Sequence, residues 1–405
     1  MRVAIVTESF LPVINGVSNS VRHVVQHLIR CGHQVLVIAP GSGPDSYQGA
    51  AVVRVPAVDL PVVDSVPVGL PSPTVITAIR DFGPNVVHLA SPVIVGAMGL
   101  WAARQLAVPT VAVYQTDLAG FAGTYGLGFA RGTVWRWIRR LHSNADRTLA
   151  PSSSAAAALV AHGVPRVHRW ARGVDIDHFR PSCRDEQLRA QLAPGGEMLV
   201  GFVGRLAPEK RVLRLAALHD IPGIQLVVVG DGPDRQKLAR QLPNAVFLGF
   251  KTGDALARAY ASLDVFVHTG PFETFCQTVQ EALASGLPVI APDAGGPRDL
   301  VTHGRTGFLL PETGRSDADA VFVASLRAAV RALASDPELR IQCGAAARRS
   351  VLCRTWPALC DELLNHYAEL TSLPAVPPLD METYQGEVEP SHPDMSPYRD
   401  TARQA

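Results

Sequence analysis

Short β-branched segments alternate with helical patterns along most of the chain, and the alternation runs through two successive series. The first series contains RVAIVTE, QVLVIAP, NVVHLA, TVAVYQT and RTLAPS, and the second contains MLVGFVGRL, QLVVVGD, AVFLGF, VFVHT and PVIAPD. Strands that alternate with helices form parallel sheets with crossover helices. Because two such series exceed one Rossmann domain, the predicted fold is α/β, with two Rossmann-like domains facing a central cleft.

The regular pattern stops at RGVDIDHFRPS, between Arg172 and Ser182. We therefore expect a first domain over residues 1–172 and a second over residues 183–350. Residues 351–372 are expected to form a C-terminal helix that crosses back to the first domain. Residues 373–405 are rich in proline, polar and acidic residues, which predicts a disordered tail. Ligands of parallel sheets bind at the carboxyl ends of the strands, so the functional site is expected in the cleft.

The composition is that of a globular protein, with 47% hydrophobic and 18% charged residues among 405. The N-terminal segment MRVAIVTESF fits a first strand better than a signal peptide, and no apolar run reaches the roughly 18 residues of a membrane span. The six cysteines have no metal-ligand spacing, which indicates reduced thiols in a cytosol. We therefore expect a cytoplasmic protein.

Positive charge is concentrated in the first half of the chain. Residues 1–170 hold thirteen arginines and no lysine against seven acidic residues. This excess predicts an anionic partner, either a phosphate or a membrane surface. It is too dispersed to indicate nucleic acid, and no nucleic-acid-binding motif is present.

The segment FETFCQTVQEAL places two acidic residues, Glu273 and Glu281, eight positions apart. Thr274 followed three residues later by Gln277 has the pattern of a capping box, which predicts a helix that begins at Thr274. Glu281 would then lie on nearly the same face, roughly 10 Å from the cap. The free amides of Phe275, Cys276 and Gln277 would form an anion site between the carboxylates. A nucleotide-sugar diphosphate has hydroxyls and phosphates at matching positions.

Further phosphate-binding candidates follow strand ends. Arg205 ends the first strand of the second series, and Lys210, one of only three lysines, follows on the next turn. They could neutralise a diphosphate, or they could be a solvated pair at a domain surface. Gly16 and the pair Gly295-Gly296 permit a close phosphate approach, or they are ordinary turn glycines. No GxGxxG follows the first strand, which disfavours NAD.

Together these motifs resemble the retaining glycosyltransferases of family 4, which have the GT-B fold. The motifs that carry the resemblance occur in the family's order: Gly204 to Lys210, Glu273 to Glu281, Leu283 to Ala291, Gly295-Gly296, and Gly304 to Leu310. The stretch RGVDIDHF also resembles the family's interdomain element, with Arg172 where Asn is usual. The resemblance covers roughly residues 1–370. Within the family, the chain is most similar to actinobacterial mannosyltransferases that use GDP-mannose and act on glycolipids.

The resemblance implies a role for individual residues on the donor side. Glu281 is expected to hold the ribose hydroxyls of the nucleotide, and Glu273 the hydroxyls of the transferred sugar. Arg205 and Lys210 are expected to bind the diphosphate, which together with Glu273 makes them the catalytic group. The expected remaining donor contacts are Gly16, the amides of Phe275, Cys276 and Gln277, and the segment that borders the base, including Phe250 and Lys251.

One position departs from the family pattern on the acceptor side. Gln115 aligns where members commonly present a His that lines the sugar face of the cleft, and Gln cannot titrate. Asp117 could position the acceptor, although a surface cap role is equally consistent with its sequence. The glycine-rich stretch GFAGTYGLGF of the first domain, which contains Tyr125, could shape the acceptor site.

The stretch FARGTVWRWIRRL predicts a basic helical face. Arg136, Arg139 and Arg140 lie on one side of this helix, with Trp135 and Trp137 flanking them. Such a face could lie on anionic lipid headgroups. The alternative is a core helix with solvated arginines, and both can hold together.

The resulting hypothesis is a retaining hexosyltransferase, with mannose from GDP-mannose passing to a glycolipid or lipid-linked acceptor at the inner face of the cell membrane. No Asp-x-Asp pair is placed to hold a divalent ion on the diphosphate, so we expect no essential metal and no cofactor beyond the donor. Two alternatives remain open at this point. One is a nucleotide-sugar hydrolase or epimerase, and the other is a non-catalytic nucleotide-sugar-binding partner of another transferase.

Overall fold

The protein is described by a computed structural model over residues 1–58, 67–120, 131–312 and 317–372. The predicted tail from residue 373 and the acceptor candidate Tyr125 lie outside these ranges. Within them, no helix combines the length and the hydropathy needed to cross a lipid bilayer.

The first domain is built on an eight-stranded sheet with an additional two-stranded ribbon. Its strands are β1 Arg2–Thr7, β2 Gln34–Pro40, β3 Ser46–Tyr47, β4 Ala50–Val55, β5 Ala57–Val58, β6 Val68–Gly69, β7 Val86–Ala90, β8 Thr110–Val113, β9 Arg147–Ala150 and β10 Val167–Arg169. The sheet order is β10-β9-β8-β7-β1-β2-β4-β3, and every pair is parallel except β3 with β4. Strands β1 and β7 are almost wholly buried, because helices cover both faces.

The crossover helices of this domain are α1 Gly16–Arg30, α2 Thr74–Phe82, α3 Val95–Gln105, α4 Arg131–Asn144 and α5 Ser153–Ala161. The first of them, α1, begins at Gly16. It begins there because the Asn15 side chain accepts hydrogen bonds from the amides of Val17 and Ser18, at 3.0 and 2.9 Å. This N-cap satisfies two of the amides that a first turn leaves unpaired.

The second domain contains a six-stranded, fully parallel sheet. Its strands are β11 Met198–Val203, β12 Ile224–Val229, β13 Val246–Gly249, β14 Val265–Val267, β15 Val289–Pro292 and β16 Gly307–Leu310. Its helices are α6 Glu186–Leu192, α7 Arg235–Gln241, α8 Gly253–Ala261, α9 Gln277–Ala284, α10 Pro297–Leu300, α11 Ala318–Ser335 and α12 Pro337–Val351, with 3₁₀ turns at Pro208–Lys210 and Val212–Leu218. The sheet order is β13-β12-β11-β14-β15-β16.

Both sheets therefore run outward in two directions from their first strand, which is the order of a doubly wound Rossmann fold. The order reverses between β1 and β7 in the first domain and between β11 and β14 in the second. Each reversal leaves a crevice at the carboxyl ends of the strands, where such folds bind ligands. The loops that hold Gly16 and Arg205 follow β1 and β11 and thus open at these crevices.

Every strand of the two predicted series is confirmed, and six further strands were missed: the two-residue strands β3, β5 and β6, and the longer strands β4, β10 and β16. Strand β4 has an irregular pattern of burial, β10 has only three residues, and β16 lies inside the last family motif. All three pair at or near a sheet edge. Their sequences are weakly patterned because an edge strand has fewer neighbours to satisfy.

The last helix, α13 Trp356–Thr371, packs on the first domain. Its residues Trp356, Leu363 and Tyr367 belong to the same buried cluster as β1 and α1. The Tyr367 hydroxyl lies 2.6 Å from Nδ1 of the fully buried His88 in β7. The chain thus passes from the second domain back to the first, which connects the two domains twice.

Candidate functional site

Helix α9 begins three residues later than the sequence predicts. It starts at Gln277, after Cys276 in a left-handed conformation with φ of 81°, so the predicted capping box at Thr274 is wrong. The Thr274 hydroxyl instead donates to the carbonyl of Gln115 in the first domain, at 2.8 Å, and the Gln277 amide group donates to the carbonyl of Gly173, at 3.0 Å. Both side chains are used in interdomain contacts, so neither caps the helix.

The Gly295-Gly296 pair packs against the segment that precedes α9 and fixes its backbone. The Gly296 amide donates to the Glu273 carbonyl at 2.7 Å, and a Cβ at Gly296 would collide with the Phe275 carbonyl. Glu273 therefore lies outside the helix and Glu281 inside it, rather than both on one helical face. The unpaired first-turn amides of α9 begin at Gln277.

Glu273 is the centre of a partly buried cluster of charges at the carboxyl edge of the second sheet. Its carboxylate is bonded to Lys210 Nζ and lies 3.3 Å from Nε2 of His268, which follows β14. Burial opposes ionisation of Glu273, but Lys210 and His268 outweigh it and lower the pKa of the carboxyl to about 2. Burial likewise lowers the pKa of Lys210, and Glu273 reverses this to a net rise. This cluster therefore presents a permanently charged carboxylate and ammonium.

His268 is a candidate site residue that the sequence analysis missed. Its ring is 2% exposed, and burial lowers its pKa, but Cys276 and Glu273 outweigh this and raise the pKa to about 9. One ligating atom from each of His268, Glu273 and Cys276 lies within 4.8 Å of the others. A polar residue directly after a parallel strand was the available signal, because strand ends line the crevice.

Glu281 lies in a different environment from Glu273. It is on α9, where its carboxyl accepts a hydrogen bond from the Tyr260 hydroxyl at 3.1 Å. Burial raises its pKa to about 8, although the bond from Tyr260 opposes the rise. No basic side chain forms an ion pair with it among the residues the structure describes. With this pKa, the Glu281 carboxyl is mostly protonated at neutral pH.

The other donor-side candidates line the same edge. Arg205 Nη2 donates to the buried Glu209 at 2.6 Å, and about half of the Arg205 side chain remains exposed. Phe250, which follows β13, is 69% exposed, and Lys251 is partly exposed beside it. Gly16 lies across the cleft at the start of α1.

The first domain presents Gln115 and Arg172 to the cleft. Both are buried, and Arg172 Nη2 donates to Gln115 Oε1 at 2.7 Å. Asp117 lies farther along the same loop, where it accepts a hydrogen bond from the Gly120 amide at 2.9 Å. This bond gives Asp117 a local turn-forming role. The two domains also meet through Ser154, whose hydroxyl donates to the Gly295 carbonyl at 3.0 Å.

The basic face of α4 is only partly as predicted. Arg136, Arg139 and Arg140 are all exposed, but Trp135 is 8% exposed and stacks on His162, with ring centroids 3.6 Å apart. The prediction that Trp135 flanks the basic face on the helix surface is therefore wrong. It points inward because positions 135, 138 and 141 form the apolar stripe of the helix. Trp137 is 40% exposed and donates to the Val93 carbonyl.

Two sequence profiles match the chain and together cover most of it. Glycosyltransferase Family 4 matches residues 14–178, and Glycosyl transferases group 1 matches residues 184–350. The chain belongs to glycosyltransferase family 4.

Curated relatives of this glycosyltransferase span nearly its whole length. A GDP-mannose-dependent alpha-mannosyltransferase of Mycolicibacterium smegmatis is 59% identical over 91% of this chain and 97% of its own. A protein of the same name from Corynebacterium glutamicum is 48% identical over 92% of this chain and 90% of its own. The sulfoquinovosyl transferase SQD2 of Arabidopsis thaliana is 34% identical over 87% of this chain and 70% of its own.

Solved structures confirm the GT-B architecture. HepE from Anabaena in complex with UDP superposes with a TM-score of 0.74 at 20% identity, covering 91% of this chain and 100% of that one. The sucrose-phosphate synthase of Thermosynechococcus elongatus superposes with a TM-score of 0.75, also at 20% identity, covering 92% and 99%. The prediction of two Rossmann-like domains in the GT-B arrangement is confirmed.

Proposed function

We propose that this glycosyltransferase is a retaining α-mannosyltransferase that moves mannose from GDP-mannose onto a glycolipid or lipid-linked acceptor. The observation that carries the proposal is the Lys210–Glu273–His268 cluster, where a charged carboxylate and a charged amine face one crevice. A carboxylate suits sugar hydroxyls, and an ammonium suits a diphosphate. The donor is assigned from the names of the two mannosyltransferase relatives at 59% and 48% identity.

Each donor-side residue has a proposed role that follows from its environment. Lys210 and Arg205 bind the diphosphate, and Glu273 binds hydroxyls of the mannose. Glu281, deeper in the second domain, binds the ribose hydroxyls, and the exposed ring of Phe250 borders the base together with Lys251. The first-turn amides of α9, beginning at Gln277, add partial positive charge to the phosphate side.

The proposed reaction needs charge stabilisation more than it needs a nucleophile on the protein. Negative charge grows on the leaving phosphate as the glycosidic bond breaks, and Arg205 and Lys210 are positioned to oppose it. The acceptor hydroxyl attacks from the face that the phosphate leaves, and the phosphate takes its proton, which retains the anomeric configuration. These cations replace a divalent metal, so transfer is expected to persist in the presence of a chelator.

A donor panel with and without lipid acceptor tests this function. Mannose transfer from GDP-mannose is expected only with acceptor, and UDP- and ADP-sugars are expected to be poor donors. NMR of the glycolipid product is expected to show an α linkage. The Glu273→Gln variant is the matched control, since it keeps the shape of the side chain and removes its charge. Release of free mannose without acceptor would favour a hydrolase. Binding of GDP-mannose without any turnover would favour a non-catalytic partner of another transferase.

We propose further that the acceptor is delivered at an anionic membrane surface through α4. The exposed arginines of this helix border a cavity of about 410 Å³, lined by Arg131, Gly132, Trp135, Arg136, Arg139 and His162. A cationic concavity of this kind suits phosphate headgroups, and each basic residue near an anionic bilayer contributes roughly 1 kcal/mol. Salt is expected to weaken the attraction, because it screens exposed charges.

Vesicle co-sedimentation tests this surface. Replacing Arg136, Arg139 and Arg140 with Gln is expected to reduce binding to vesicles of anionic phospholipid and to slow lipid transfer, without reducing GDP-mannose affinity. The matched control replaces three exposed arginines of the second domain, Arg235, Arg240 and Arg331. Equal losses in both triple variants, or binding that ignores added salt, would contradict the proposed surface.

A further inference from the structure

Arg172 is a buried cation in the cleft between the two domains. Its side chain is only 7% exposed, in the interdomain element where the family usually has Asn. Its Nη2 donates to the neutral Gln115 at 2.7 Å, and its main-chain carbonyl accepts from the Gln280 side chain at 3.0 Å. The backbone is therefore fixed by the second domain and the guanidinium by the first.

The guanidinium of Arg172 forms no ion pair with the acidic side chains in the described part of the chain. Among the residues that the structure describes, no carboxylate lies within 4.0 Å of Arg172. Burial lowers its pKa to about 10, and the more distant Glu273 only partly offsets this. A buried charge with one neutral partner is costly, because neither water nor a counterion replaces its solvation. Arg172 nevertheless remains charged at neutral pH.

The N-terminus of helix α1 adds positive potential beside the guanidinium of Arg172. Nη1 of Arg172 lies 3.0 Å from the position that a Cβ at Gly16 would occupy, so the guanidinium rests on the first residue of α1. The N-terminus of a helix carries partial positive charge. A side chain at position 16 would press on the guanidinium, which glycine accommodates without any shift. The two positive groups together form a site for an anion on the first-domain side of the cleft.

We propose that Arg172 is a third cation for the donor diphosphate, contacting the terminal phosphate from the first domain, and that Gln115 is its positioning residue. This inference rests on the proposed nucleotide-sugar donor and adds a residue to that site. Arg205 and Lys210 approach the diphosphate from the second domain, so the leaving phosphate is held from both sides. Closure of the cleft then becomes coupled to the presence of the second phosphate.

Nucleotide affinity separates this role from a structural one. Isothermal titration with GDP and with GMP compares a ligand that has the second phosphate with one that lacks it. Arg172→Gln is expected to weaken GDP binding roughly 10- to 100-fold, as for loss of a hydrogen bond to a charged group, and GMP binding by less than about threefold. Arg172→Lys is expected to recover part of the loss, because it retains the charge.

The role of Gln115 is tested through Arg172. Gln115→Glu keeps the shape of the side chain and supplies the missing carboxylate, so it is expected to neutralise Arg172 and lower GDP affinity in the wild-type background. In the Arg172→Gln background, Gln115→Ala is expected to cause no further loss. The control is Arg169→Gln, which removes an interdomain arginine that is 50% exposed and paired with Asp299. It is expected to leave GDP affinity unchanged.

Each other outcome overturns the inference. Equal losses for GDP and GMP, with a lower melting temperature, would make Arg172 a structural residue. Unchanged GDP affinity with a raised acceptor KM would place an anionic group of the acceptor there instead. If the wild-type protein binds neither GDP nor GDP-mannose, the proposed function fails independently of Arg172.

Discussion

The affinity of the site for GDP-mannose is expected to rise with pH because of Glu281. Burial raises the pKa of this carboxyl to about 8, above its ordinary value of 4.5. Two ribose hydroxyls donate hydrogen bonds to a carboxylate but not equally well to a protonated carboxyl. Binding therefore requires loss of a proton from Glu281 below about pH 8, and affinity follows the ionised fraction.

The size of the effect follows from that pKa. With a pKa of about 8, the ionised fraction of Glu281 rises from roughly 1% at about pH 6 to roughly three quarters at about pH 8.5. Affinity is expected to rise roughly 50- to 100-fold across this range, if only the ionised form binds the ribose. Isothermal titration with GDP-mannose is the appropriate assay. GDP itself is unsuitable, since its terminal phosphate titrates near pH 6.

Two variants of the same pair sharpen the test. Glu281→Gln is expected to bind GDP-mannose weakly and with no pH dependence. Tyr260→Phe removes the hydrogen bond that opposes the rise in the Glu281 pKa. It is therefore expected to move the midpoint of the affinity-against-pH curve to higher pH. Wild-type affinity that is flat or falling between about pH 6 and about pH 8.5 would refute the ribose assignment or the raised pKa.

Protein stability is expected to change in the opposite direction with pH. The folded state holds the Glu281 proton up to about pH 8, whereas the unfolded chain releases it near pH 4.5. The folded state thus binds more protons between these values, and the unliganded protein becomes less stable as pH rises through them. The melting temperature of Glu281→Gln is expected to exceed that of wild type by a margin that grows as the pH rises from about 4.5 to about 8.

Three further outcomes are expected. Arg205→Ala is expected to lower the turnover number by about 100-fold or more, because it removes a cation from the leaving phosphate, and steady-state rates above a tenth of wild type would contradict this role. Lys210→Met is expected to destabilise the second domain by about 1–3 kcal/mol, since it removes one of the two cations beside the partly buried Glu273; adding Glu273→Gln is expected to recover most of that stability in thermal unfolding but none of the turnover. Tyr367→Phe leaves Nδ1 of the buried His88 without its partner, so a loss of about 1–3 kcal/mol is expected by denaturant titration, and an unchanged unfolding midpoint would show that this link contributes nothing.

The ten strands of the two predicted series could be recognised because their signals are local. Runs such as RVAIVTE and MLVGFVGRL are β-branched over a few residues and are bounded by turn-forming residues. Strand β10 at the sheet edge and strand β4 next to the other edge were missed, because partial exposure weakens the same pattern. The start of α9 was misplaced for another reason. Thr274 has the right spacing for a cap, but its hydroxyl bonds to Gln115, 159 positions earlier in the chain.

Trp135 is buried by residues that lie outside its own helix, such as His162. Its place on α4 was predictable, and its stacking on His162 was not. His268 was missed similarly, since a single His after a strand has no pattern to distinguish it. Arg172 was noticed as a departure from the family, but its approach to Gly16 depends on how the two domains meet.

The sequence by itself determined that Glu273 and Glu281 would lie near one crevice, because the order of strands and helices requires it. It could not determine their charge. Lys210, 63 positions away, keeps Glu273 ionised with a pKa of about 2. Glu281 accepts a hydrogen bond from the neutral Tyr260 hydroxyl, and burial raises its pKa to about 8. Two identical side chains differ because a pKa depends on the nearest charge in space, and only the tertiary structure places that charge.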